Sequence, residues 1–233
     1  MPGIYWQGVG FLVRNNTIAH APHNGILGGG NNGGGNFATF EYNTIDSVCR
    51  DTSDAGAFYT CGQAGQGWTS RGNVVRHNIF RGIRNVEGGS HEGIAVNAIY
   101  LDDQISGYDI YNNTFVDCIC GVFIGGGRSN RVHGNYLQQC DVALHVDNRG
   151  SSWQASSAKF PSGALWLGVA KIEPFELPWA SSFPRLWNLS YCGVPVFNEL
   201  NNNVLCNNTK DEDFFNQTKH WLVTYEGNTR QCR

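Results

Sequence analysis

The sequence has 233 residues, of which 30 are glycine, 25 asparagine and one methionine, and only 15% are charged, against roughly 25% in an average globular chain. That profile excludes helical bundles and coiled coils, which draw on Ala, Leu, Glu, Lys and Met, while 41% apolar and 12% aromatic residues exclude disorder. A net charge of −3 gives no basic footprint for nucleic acid, and no apolar run is long enough to span a membrane.

The chain opens on Met1-Pro2-Gly3-Ile4-Tyr5-Trp6, without the basic and apolar regions of a signal peptide. From there a short pattern recurs: Asn15-Asn16-Thr17-Ile18, Tyr42-Asn43-Thr44-Ile45, His77-Asn78-Ile79-Phe80, Asn112-Asn113-Thr114-Phe115 and Gly134-Asn135-Tyr136-Leu137. The asparagines at 16, 43, 78, 113 and 135 are spaced by 27, 35, 35 and 22 residues, and each is followed by a second apolar run. A period near 22 with two or three short strands and variable excess predicts an all-β fold, a single-stranded right-handed parallel β-helix. Coils stack about 4.8 Å apart, and the recurring asparagine is expected to ladder at the turns, where the bending backbone leaves polar groups to satisfy. Residues 62–71 and 84–97 absorb the excess length as loops.

Aligning the second run of each coil gives columns. Ile26, Phe58, Ile99, Val122 and Leu144, then Gly28, Thr60, Leu101, Ile124 and Val146, are expected to face the core. Three other columns are expected outward. The first is Gly25, Ala57, Ala98, Gly121 and Ala143, flooring a trough. The second is Leu27, Tyr59, Tyr100, Phe123 and His145, and the third is Gly29, Cys61, Asp102, Gly125 and Asp147. Asp103, Arg128 and Arg149 follow these columns directly, and loops carrying Trp68, His91 and Glu92 are expected nearby. Aromatic platforms beside carboxylates and arginines suit a poly- or oligosaccharide, whose ring faces stack and whose hydroxyls take bidentate hydrogen bonds. The competing reading is that Tyr59 and Tyr100 only cover the sheet, with Asp102 and Asp147 ion-paired to Arg128 and Arg149.

Composition shifts near Gly150: 26 of the 30 glycines lie in residues 1–150, while five of seven tryptophans and five of seven prolines follow. Residues 1–150 are read as the coils, and 151–233 as a loop-rich extension packing on them and returning for a strand or two near 193–207. Lys210–Asp213 reads as a solvated turn. Eight cysteines and five Asn-x-Ser/Thr sequons point to an exported glycoprotein whose N-terminal portion lies outside this sequence. Asn188, Asn207 and Asn216 are the candidate glycosylation sites, and Asn15 and Asn112 belong to the repeat. Cys118 and Cys140, each five residues after its asparagine, stack as a disulfide or as two thiols. His20 and His23 have zinc-like spacing without further ligands, which favours a turn. Gly28–Gly35 lacks the lysine of a phosphate loop.

Several stretches resemble right-handed parallel β-helix proteins of the pectate-lyase-like, carbohydrate-active superfamily. These are His20-Ala21-Pro22-His23, Cys49-Arg50-Asp51-Thr52 with Asp54-Ala55-Gly56-Ala57-Phe58-Tyr59, and Ala98-Ile99-Tyr100-Leu101-Asp102-Asp103. Further matches are Phe123-Ile124-Gly125-Gly126-Gly127-Arg128, His145-Val146-Asp147 with Arg149-Gly150 and Trp153, and Phe183-Pro184-Arg185-Leu186. The resemblance implies the fold and a polysaccharide-processing role, with Asp54 at the substrate, but the superfamily holds lyases, hydrolases, epimerases and non-enzymatic spikes.

Three chemistries stay open. Glycoside hydrolysis needs two carboxylates. Asp102 and Asp147, two coils apart, are expected roughly 9–10 Å from each other, near the upper end of the roughly 6.5–9.5 Å inverting range, with Asp103 as a nearer partner. Elimination or epimerisation of a uronate needs a base, Tyr100 or His145, and a neutralising cation. That cation is Arg128, Arg149 or a calcium ion on Asp102, Asp103 and Asp147. The third is a non-catalytic glycan-binding or structural protein.

Overall fold

The computed structural model describes residues 1–30, 35–62, 67–85, 96–176, 179–186, 191–214 and 223–232. Among the described residues the chain visits three large parallel sheets in a fixed rotation, beside a two-stranded pairing of Gly8–Val9 with Gly35–Asn36. The first, which carries the candidate site, stacks seven strands: Ile4–Trp6, Ile26–Gly28, Ala55–Cys61, Val96–Asp102, Cys120–Ile124, Val142–Val146 and Lys210–Phe214. The second also has seven, from Leu12–Arg14 through Thr39–Glu41, Asn73–Arg76, Tyr108–Tyr111, Arg131–His133 and Asn198–Asn201 to Val223–Thr224. The third has six, from Thr17–Ala19 through Thr44–Asp46, Ile79–Ile83, Thr114–Cys118 and Tyr136–Gln138 to Val204–Cys206. Each circuit therefore lays one short strand on each sheet, in register with the circuit before it.

The expected asparagine ladder is present at the corner between the second and third sheets. The Oδ1 of Asn43 accepts both the backbone N–H and the side-chain amide of Asn16, at 3.0 Å each. The same pair of bonds joins Asn43 to Asn78 and Asn78 to Asn113, at 2.9 and 3.0 Å in each case. Asn113 is bonded to Asn135 in the same way at 3.0 Å. From Asn43 onward each rung also donates to a carbonyl of the circuit below, as Asn113 does to Val75 at 2.8 Å. The residue before each of these asparagines has a left-handed backbone: Asn15, Tyr42, His77 and Asn112 have φ of 57, 56, 55 and 53°, and Gly134 has 64°. That conformation turns the corner and suits asparagine and glycine best, which accounts for the Asn-Asn pairs. Asn203 and Asn228 extend the ladder. The Asn202-Asn203-Val204 stretch repeats the upstream motif and is the signal that could have placed the first of them.

The core lies between the three sheets. Ile26, Phe58, Ile99, Val122 and Leu144 are register partners and buried, as expected. Trp6, Phe40 and Phe58 follow one another edge to face at 4.9 Å per contact, and Phe80 stacks on Phe115 at 5.1 Å.

The column expected to floor a trough points inward instead. Ala57, Ala98 and Ala143 are fully buried in this core. A Cβ on Gly25 would meet the Ile45 side chain at 2.9 Å, and one on Gly121 would meet Leu137 at 2.5 Å. Two consecutive residues, Ala57 and Phe58, thus face inward where the strand bends beside the third sheet, and only small residues fit the first of the two positions. Lys210–Phe214 is a strand rather than a turn. Its backbone extends the first sheet while its charged side chains sit at the end of the stack, so composition alone misreads it. Cys118 and Cys140 are buried free thiols, with Sγ groups 3.6 and 3.7 Å from the carbonyls of Val116 and Gln138, and the disulfide joins Cys206 to Cys232.

The segment from 149 onward carries short helices, Ala155–Ala158, Ala164–Lys171 and Trp179–Ser182. Leu165, Val169 and Leu186 bury a second small core there around Trp68.

The ladder predicts a graded sensitivity. Asn113→Ala leaves several buried donors and acceptors without partners, each costing about 1–3 kcal/mol, so it should lower unfolding free energy by about 3 kcal/mol or more. Asn16→Ala, at the exposed end, should cost about 1 kcal/mol or less. Denaturant unfolding of both variants checks this, and equal losses would remove the ladder as a main support.

Candidate functional site

The outward face of the first sheet is built by register. Leu27, Tyr59, Tyr100, Phe123 and His145 stand one above another, and the rings touch in turn: Tyr59 to Tyr100 at 5.2 Å, Tyr100 to Phe123 at 4.7 Å, Phe123 to His145 at 4.4 Å. Cys120 and Val142 complete the cluster. At the strand ends, Asp102 pairs with Cys61, and Asp103 and Asp147 follow.

Arg149 organises these carboxylates. Its guanidinium bonds Asp102, lies 3.4 Å from Asp103 and grips Asp147 at 2.7 and 2.9 Å. The same group lies 5.2 Å from the Phe123 ring, 5.5 Å from Trp153 and 6.0 Å from Tyr100. Arginine suits this place because its planar fork binds several oxygens while its faces stack on rings. Asp102 also accepts the Tyr59 hydroxyl at 2.7 Å and the Asp103 backbone N–H at 2.9 Å. Tyr100 donates to Asp54 at 3.2 Å, the Cys61 thiol to Asp103 at 3.1 Å, and Gln154 to Asp103.

Asp102 and Asp103 are each 5% exposed, and burial sets the electrostatics. Desolvation raises Asp102 above the usual carboxylate range, opposed by Arg149 and reinforced by the neighbouring Asp103. Burial, with the Asp102 charge adding to it, pushes both Tyr59 and Tyr100 well above the ordinary phenol value. Burial also lowers His145, although Asp147 and Asp213 oppose it, and its Nδ1 lies 3.3 Å from Asp213. Arg149 is raised: desolvation opposes its charge, but Asp147 and the other anions outweigh it.

Register thus brings Tyr59, Tyr100, Asp54, Asp102, Asp103, Asp147, His145 and Arg149 together. Two expected members lie elsewhere. Arg128 is buried at a different corner, 5.8 Å from the Trp68 ring and 5.5 Å from Phe197. Trp68 is 1% exposed beneath the helical segment and offers no open platform. Arg128 ends a glycine run that carries the chain on toward the second sheet, and the small apolar core captures Trp68. His91 and Glu92 lie outside the described residues, as do Asn188 and Asn216. Asn207 is exposed at a left-handed turn, φ 52°. The large ring that remains open beside Arg149 is Trp153, 70% exposed. The spacing from Arg149-Gly150 to Trp153 was its signal, while Gln154 has none.

Among the described residues, Cys61, Asp102 and Asp103 place metal-competent atoms within 4.8 Å of one another. A sulfur and two carboxylates already committed to Arg149 are a poor match to calcium, which takes six to eight oxygens. No family model, curated protein or solved structure matches this chain.

Arg149→Gln should strand three carboxylates. With the arginine gone, Asp102 rises further, so stability is greatest when it is protonated and falls as pH rises through its folded-state value. Urea midpoints should therefore drop below wild type much more at about pH 7 than at about pH 4; a pH-independent loss would contradict this. His145 has the opposite sign. Its lowered value means stability is full above about pH 6.5 and is lost as pH falls. His145→Gln should flatten the melting-temperature profile below that pH, and an unchanged acid slope would show that His145 does not produce it.

Proposed function

We propose that the chain is a right-handed parallel β-helix protein of the pectate-lyase-like, carbohydrate-active kind, exported from the cell, and that it hydrolyses a polysaccharide at the Asp102–Asp147–Arg149 cluster. The observation that carries this reading is the convergence of carboxylates in unlike surroundings on one guanidinium, beside the exposed Trp153 ring. Two carboxylates with separated environments are what acid and base roles require. Asp102, buried and raised, is suited to hold a proton and give it to the glycosidic oxygen. Asp147, more open and ion-paired to Arg149, is suited to take a proton from the attacking water. Trp153 offers a face on which a sugar ring stacks, and the sugar hydroxyls replace hydrogen bonds that Arg149 and Tyr59 now make. The rotation through three in-register sheets supports the β-helix assignment, and the Cys206–Cys232 disulfide supports an oxidising compartment.

Elimination fits less well. Tyr100 is pushed away from the neutral range in which a phenol acts as base, and His145 is half-buried against Phe123 and Asp213. One observation favours the second reading, a glycan binder without catalysis: Arg149 engages all three aspartates at once.

Incubation with neutral and uronate-containing polysaccharides separates these readings. Hydrolysis releases reducing ends without ultraviolet absorbance from unsaturated products, whereas a lyase gives both. Asp102→Asn should cut turnover by a factor of about 100 or more while leaving the unfolding midpoint near wild type. Retained glycan binding without either product would leave the binder reading standing.

A further inference from the structure

A second site lies on another face, and its case does not rest on the glycan-processing reading. At the corner entering the second sheet, one left-handed residue recurs in each circuit: Phe37, Gly72, Gly107, Ser129 and Phe197, with φ of 56, 70, 76, 57 and 63°. Gly72 and Gly107 of this column line a cavity of about 400 Å³, with the Phe37 ring and the Arg71 side chain lying over the two glycines. Its floor includes Val74, Asp109, Arg131 and Glu199, which are register partners on the outward face. Its roof is the Ser182–Leu186 stretch, with Phe183 and Phe197 as aromatic walls.

The charges here do not balance. Arg131 pairs with Asp109 at 3.4 Å and Glu199 at 3.5 Å, and Arg185 pairs with Glu199 at 3.2 Å. Arg71 also lines the cavity and is 3% exposed. Among the described residues its guanidinium makes one hydrogen bond, from Nη1 to the Ser70 carbonyl at 2.6 Å, and meets no carboxylate. Its side chain runs across Gly107, where an added Cβ would lie 2.5 Å from Arg71 Cδ. Burial, with Arg128 nearby, lowers Arg71 to about 9, and burial lowers Arg128 to about 10. The buried Ser129 hydroxyl, on the cavity wall, has no hydrogen-bond partner among the described residues. A buried guanidinium without a counter-charge is unfavourable, and a planar carboxylate is the group its fork matches.

We infer that this cavity binds a small organic carboxylate, its charged end on Arg71 and Ser129 and its ring or apolar body between Phe183 and Phe197. A volume near 400 Å³ suits one small molecule rather than a polymer.

Titration of the whole chain with benzoate, benzyl alcohol and inorganic phosphate, followed by calorimetry and melting temperature, tests this. Benzoate should bind saturably at one site and raise the melting temperature. Benzyl alcohol, with the ring but no charge, and phosphate, with charge but no ring, should each bind at least tenfold more weakly. Arg71→Met should lose benzoate binding at least tenfold and, freed of a buried cation, melt no lower than wild type without ligand. If that variant does not fold, Phe183→Ala, which removes a wall, should weaken benzoate severalfold. Equal binding of benzoate and benzyl alcohol, phosphate matching benzoate, or an unaltered benzoate affinity in a folded variant would each overturn the assignment, as would no saturable benzoate binding to the wild-type chain.

Discussion

A backbone that turns a corner inside a protein leaves an amide and a carbonyl that the neighbouring sheets cannot reach. In this chain the asparagine ladder from Asn16 to Asn228 meets that need, one side chain serving the circuits on either side. Everything else rests on it. Because each rung locks the next circuit at the same angular position, strands fall into register without a connecting helix. Columns of like side chains then follow: a buried aliphatic column inside, rings and carboxylates outside. A slip of one residue would exchange the two faces of a strand, so the ladder also keeps Asp102 outside and Leu101 inside.

This constraint explains which parts of the fold were legible in the sequence. Asn16, Asn43, Asn78, Asn113 and Asn135 recur with a left-handed partner before each, so the turns, the register and both inward columns followed from spacing alone. Gly25, Ala57 and Gly121 did not, because strict alternation cannot reveal a bend that turns two consecutive residues inward. Smallness at these positions answers to Ile45 and Leu137 across the core, not to a ligand outside. Lys210–Phe214 was hidden for a related reason: strand pairing is made by backbone, and its composition reflects a position at the end of the stack.

The candidate site was legible by column and not by depth. Register placed Tyr59, Tyr100, Asp102 and Asp147 on one face, but no column indicates how far neighbouring segments cover it. Arg128 and Arg149 follow similar glycine- or asparagine-marked turns, yet one crosses to a different corner and the other gathers the aspartates. Their fates depend on the helical segment after residue 149, which carries no periodic signal in the sequence. Two buried arginine environments result, Arg149 gripped by aspartates and Arg128 set between the Trp68 and Phe197 rings.

The shortest full turn, the 22 residues from Asn113 to Asn135, contains one strand for each sheet and one rung. Such a turn is a complete cassette whose ends carry the same bonding pattern. Length variation in chains of this kind can therefore proceed by gain or loss of whole turns, with the cross-section and the chemistry of the flanking columns unaltered. The longest turn, the 68 residues from Asn135 to Asn203, carries its excess as the helical segment outside that cassette, free to diverge in sequence while the rungs on either side keep their pattern.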